Sequence, residues 1–233
     1  MRTFAQTVAW PEEKGFAIDA AVSDRIGFLR RTYSHLLMEL CAVGAVTSLA
    51  LRIPFLVHNT MPVLLVGLLG IFFLVPKMLV RGASKGSQYT AAVLLVLFYG
   101  IALAPVAWIV REATGSFAIL GQAFIITACI FTGLTAYVFT TRRDFSAWGG
   151  FLHMALWGAI AIGIIGMFFG GFAGSNLYSI LIVVLFSGFI LYDTSQILHR
   201  HHVDEHVAAS IALMIDFVIL FKHIALILLR SRD

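Results

Sequence analysis

The stretch LIVVLFSGFILYDTSQILHRHHVDEHVAASIALMIDFVILFKHIALILL, residues 181–229, decides how the chain is read. It holds two apolar runs of membrane length, separated by the polar HRHHVDEH, and each run carries one aspartate, Asp193 and Asp216. An aspartate near the middle of a bilayer helix costs roughly 2.5–3.5 kcal/mol on insertion scales, so it is rarely left there without a partner or a task. The connection is short, so the two helices form an antiparallel hairpin and are neighbours. Counted from the connection, the two aspartates differ in depth by only about 6 Å at a rise of about 1.5 Å per residue. Two carboxyl groups that close in low dielectric cannot both ionise cheaply, so one keeps its proton and the two titrate as a unit. The spacing predicts a proton-sensitive site inside the membrane, or a cation site once both protons leave. Two aspartates satisfied separately by hydroxyl, backbone or arginine donors are the plainer alternative.

The rest of the chain has the same character. It has 233 residues, 60% hydrophobic and 12% charged, with a mean hydropathy of +0.95. Soluble domains carry about twice that share of charge. A span needs about 20 apolar residues, and the runs between polar breaks give seven: 33–51, 62–80, 89–110, 117–139, 148–171, 177–198 and 207–229. The runs are continuous and not alternating, which predicts an all-α polytopic bundle and argues against a β-barrel. The expected organisation is a cytoplasmic amino-terminal segment over 1–32, a transmembrane domain over 33–229 and a short tail over 230–233. Residues 1–32 hold no apolar core with a small-residue cleavage site, so no cleaved signal peptide is expected. No room is left for a soluble catalytic domain.

Lys14, Arg25, Arg30 and Arg31 precede the first span, and Lys77, Arg81, Lys85, Arg142, Arg143 and Arg200 fall at connections on the same side. The opposite side has Arg52 and Arg111, with Arg230 and Arg232 at the carboxyl end. The positive-inside rule then places the amino terminus in the cytoplasm. The formal net charge of +4 reflects this asymmetry. No basic patch interleaved with aromatics is present, so nucleic acid is not an expected partner.

Other polar residues lie at membrane depth. Glu39 sits about six residues into the first span, where it either faces inward or snorkels to the surface. His223 lies seven residues after Asp216, on the same helix face but about 10 Å further along; Lys222 points elsewhere. Pro76 and Pro105 are expected to kink or end their helices. His199, His201, His202 and His206 beside Asp204 and Glu205 read as a solvated loop, with pH response or metal binding as the sharper alternative. Arg81 can reach inward to Asp193 or anchor the interface. Cys41 and Cys129 read as packing residues, and no metal or cofactor motif is present.

Three segments, LTAYVFTTRRDFSAWGGFL (134–152), FSGFILYDTSQILH (186–199) and AASIALMIDFVILFKHIALIL (208–228), resemble the Bax inhibitor family, the transmembrane Bax inhibitor motif proteins and their bacterial members. The resemblance implies seven helices with the last one central, in a bacterial inner membrane. It also implies a pH-dependent calcium leak gated by a di-aspartyl sensor, here Asp193 and Asp216, with calcium as permeant ion and transiently near the pair. A latch arginine from the second helix would fall at Arg81. Relatives have a glutamate in the second helix, whereas LLVGLLGIFFLV (64–75) has none. Some bacterial relatives are instead tied to a membrane-bound quality-control protease, so a non-conducting regulator with that kind of partner is the competing expectation.

Enzyme readings fit poorly. An intramembrane aspartyl protease needs Gly-x-Gly before its second aspartate, where this chain has Leu213, Met214 and Ile215. A retinal protein needs a counter-ion carboxylate in the third span, which has none.

Overall fold

The computed structural model describes residues 16–79, 84–169 and 174–232. Eight α-helices follow one another: α1 Val22–Ala50, α2 Pro54–His58, α3 Thr60–Met78, α4 Lys85–Thr114, α5 Ala118–Thr141, α6 Gly149–Phe169, α7 Asn176–His199 and α8 His206–Arg230. Among the described residues, six of them (α1, α4, α5, α6, α7 and α8) are long and apolar enough to cross a bilayer. The apolar α3, of 19 residues, lies over the second expected span. No strand occurs among the described residues, apart from an isolated bridge between Phe16 and His202. The chain is a helical membrane bundle.

Helix ends follow from local chemistry. Ser84 and Ser175 cap α4 and α7 by accepting from Ser87 N and Tyr178 N, which satisfies otherwise orphaned first-turn donors. Gly115 closes α4 at φ 69°, the left-handed conformation that glycine adopts without a Cβ clash. α3 ends two residues after Pro76. α4, by contrast, continues through Pro105 to Thr114, so that proline does not end its helix. α1 starts at Val22, well before the apolar run expected from 33, so the basic Arg25, Arg30 and Arg31 belong to the same helix as the span.

α8 is the hub. It packs against α1, α4, α5 and α7, and its buried positions run from His206 to Ala225. α6 sits at the periphery, where among the described residues it packs on α7 and on the short 3-10 turn Ser146–Trp148 that precedes it. Cys41 and Cys129 are free and exposed; they were expected in packed positions, but each lies on the outward, lipid-facing side of its helix.

α1 and α4 pack tightly at Gly100, where an added Cβ would lie 2.5 Å from Val46 Cβ and 3.2 Å from Val43 O. Beside it, Thr47 Oγ1 donates to Gly100 O at 2.9 Å. Small residues permit such backbone contact between bilayer helices. Gly100→Val should therefore lower the thermal midpoint of the detergent-purified protein. Gly44→Ala on the same pair of helices, where nothing lies within 4 Å of the added Cβ, should leave it unchanged or slightly higher.

Candidate functional site

The loop between α7 and α8 is held from two directions, and this sets the register of the aspartate hairpin. Ala17 N donates to His201 O at 2.9 Å, the Phe16 ring lies 4.7 Å from His202, and Arg31 donates to Val203 O at 3.3 Å. From the other side, the connector between α5 and α6 docks on the end of α7. Phe145 N donates to Ser195 Oγ at 2.9 Å and Gln196 Nε2 donates to Ser146 Oγ at 2.9 Å. Asp144 accepts from both the hydroxyl and the backbone N–H of Ser146, with Arg200 at 3.9 Å. Those two hydrogen bonds, more than the nearby His199 and Arg200, hold the Asp144 carboxyl below its ordinary range. The DFSAW stretch, conspicuous in the sequence without an evident role, is thus a clamp on the turn that follows Asp193.

Within this frame Asp193 and Asp216 meet. Their carboxyl groups face each other across the α7–α8 interface, near enough to interact directly. Asp216 is only 2% exposed, whereas Asp193 is half-buried. A hydrogen bond between two carboxyl groups requires that at least one carries a proton. Asp216 Oδ2 has no hydrogen-bond partner among the described residues. Tyr99 of α4 lies within electrostatic reach of Asp216, as do His153 of α6 and His201 of the loop for Asp193. His153 is held by Gly149 O at 2.7 Å and by the rings of Phe189 and Tyr192.

Glu39 does not snorkel. It is 6% exposed, turned inward, and Oε1 accepts from Ser210 Oγ at 3.0 Å. Ser210 precedes Asp216 by six residues on α8, so Glu39 lies about 9 Å nearer the α7–α8 loop than the aspartate pair. One turn closer to that loop, His35 and His206 bring their rings to 5.1 Å. A polar column thus runs inward along the α1–α8 seam: His35 and His206, then Glu39 and Ser210, with Asp216 beyond.

The remaining sequence candidates fall elsewhere. His223 is not a partner of the aspartates: it is buried beside the Tyr178 ring at 5.9 Å, toward the other end of α8, where the seven-residue offset carries it away from Asp216. Arg81 lies outside the described residues. The loop histidines are dispersed, with His199 on Ser195 O, His201 facing Glu205 at 3.4 Å and His206 turned into the bundle. No group of three metal-ligating side chains is found among the described residues. Sequence reasoning missed Ser210, His35, Tyr99 and His153. The i,i+4 spacing of His206 with Ser210 and of His35 with Glu39 was the available signal.

Fold and site together define a multi-pass helical membrane protein whose central helix buries an acidic pair. The sequence profile of the family described as inhibitor of apoptosis-promoting Bax1 matches residues 25–233. The chain is 31% identical over 219 residues to protein lifeguard 4 of Mus musculus, covering 88% of this chain and 85% of that one. It is 32% identical over 216 residues to an uncharacterized protein of Pseudomonas aeruginosa, covering 90% and 93% of the two chains. To an uncharacterized membrane protein of Vibrio cholerae it is 31% identical over 205 residues, covering 86% and 87%. The protein belongs to the Bax inhibitor family.

Two measurements test the geometry. Ser210→Ala leaves both Glu39 oxygens without a donor among the described residues and should cost about 1–3 kcal/mol. Much of that loss should be recovered in the Ser210→Ala/Glu39→Leu double variant, read by denaturation in detergent. At Asp144 the carboxylate is favoured in the folded state, so its contribution to docking is present at neutral pH and lost as pH falls through its lowered value. Protection of the Phe145 and Ser146 amides from hydrogen exchange, taken relative to the intrinsic rate at each pH, should fall in acid, and Asp144→Asn should remove that acid dependence.

Proposed function

We propose that this protein is a pH-sensitive cation leak, with calcium as the permeant ion, in which the Asp193–Asp216 contact is the gate. The observation that carries the reading is the meeting of two carboxyl groups between the central helix and its neighbour, a pair that can bond only while one of them holds a proton. While one proton is shared, the contact ties α7 to α8 and the bundle is closed. Loss of that proton leaves two like charges facing each other in low dielectric, which separates the pair and favours a cation in its place. The polar column along α1 and α8 supplies a route from the loop end: two imidazoles, then a carboxyl, then the aspartates. Beyond Asp216, α8 reads FVILF before Lys222 and His223, so the next turn and a half is an apolar barrier that must open by a helix shift.

The basic connections support a cytoplasmic loop end and amino terminus, and kinship with bacterial membrane proteins supports a bacterial inner membrane. The competing reading is a non-conducting regulator that acts through a membrane-bound protease. It differs in requiring a partner for any effect.

The deciding experiment is calcium flux into proteoliposomes containing only this protein, across pH 5–8. Flux should rise with pH, and Asp193→Asn or Asp216→Asn should flatten the profile. Wild-type profiles in both variants would remove the pair as sensor. No flux at any pH would favour the regulator.

A further inference from the structure

At the end of the bundle opposite the α7–α8 loop, a cavity of about 450 Å³ opens between α1, α4, α5 and α8. Its walls are apolar, with Leu103, Ala107, Leu120 and Phe221 among them, and two arginines, Arg52 and Arg111, stand on its lining. From Gly44 to Arg52 the cavity follows α1 and the turn after it over about 12 Å at helical rise. It therefore runs from the rim of the membrane inward.

We propose that this cavity binds an anionic phospholipid, with one acyl chain between α1 and α4 and the headgroup phosphate held by Arg52 and Arg111. Both arginines are exposed, and neither is ion-paired among the described residues. Arg111 is held in place by the Phe117 ring, 5.7 Å from its guanidinium carbon. Two guanidinium groups suit a phosphate, which accepts charge-assisted and bidentate hydrogen bonds. The apolar walls suit a chain and not a hydrated ion, and the position at a bilayer surface supplies both halves in one molecule. Glu112, next in sequence to Arg111, is not part of the lining, since successive helical residues point about 100° apart. The cavity is distinct from the aspartate pair, which lies toward the other end of α8.

The occupant would wedge between the central helix and two of its neighbours. Phe221, on the wall, is five residues beyond Asp216 on α8.

The test is binding of phosphatidylglycerol to the purified full chain, by native mass spectrometry and by thermal shift in mixed micelles. Phosphatidylcholine, a fatty acid and inorganic phosphate are the comparison ligands. Phosphatidylglycerol should bind about tenfold or more tightly than phosphatidylcholine. Arg52→Gln/Arg111→Gln should abolish that preference. Gly44→Leu should block binding while leaving both arginines in place, since a side chain there meets nothing within 4 Å of its Cβ. Equal binding of the two phospholipids, or wild-type binding by both variants, overturns the proposal. Equal response to inorganic phosphate would reduce the site to an ion site, and equal response to the fatty acid would remove the phosphate from it; either overturns the phospholipid assignment.

Discussion

Hydrocarbon offers nothing to a carboxyl group, and that constraint organises the bundle around α8. A buried acid in this setting must find a donor, another acid that shares its proton, or water. Glu39 finds a hydroxyl on Ser210. Asp216 finds Asp193. Both solutions use α8, and the helices that supply the partners, α1 and α7, are among those most extensively packed against it. The polar requirements and the apolar packing therefore converge on the same helix, which is why it sits in the middle.

The two acidic contacts differ in kind. A serine hydroxyl can satisfy a carboxyl group whether or not the acid is ionised, so the Glu39 contact survives a change of charge. The contact between the aspartates does not, because it depends on a proton that either oxygen set can lose. On the proposed reading one is a fastener and the other a switch. The neighbours of the pair, Tyr99, His153 and His201, come from α4, α6 and the α7–α8 loop, so several parts of the bundle meet at it.

Much of this was legible in the sequence because membrane helices advertise themselves by length and apolarity. The hairpin and its two aspartates could be read from spacing alone, since a short loop forces adjacent helices and helical rise fixes depth. Glu39 was ambiguous because six residues of depth permits either direction, and only the partner on α8, 171 positions away in sequence, settles it. His223 lies where its seven-residue offset from Asp216 put it, too far along the axis to reach the pair, and packs against Tyr178 instead. The docking of Asp144–Trp148 on Ser195 and Gln196 could not be foreseen, because contacts about 50 residues apart leave no local pattern.

The clamp on α7 has a consequence for how events in the membrane interior become visible from water. Phe145 is pinned to Ser195, two residues beyond Asp193 and less than one helical turn away. Any tilt or rotation of that helix strains a connector whose Asp144 is open to solvent and whose Ser146 is half-buried. A soluble protein that recognised this short surface segment would be reading the state of the hydrocarbon core without entering it.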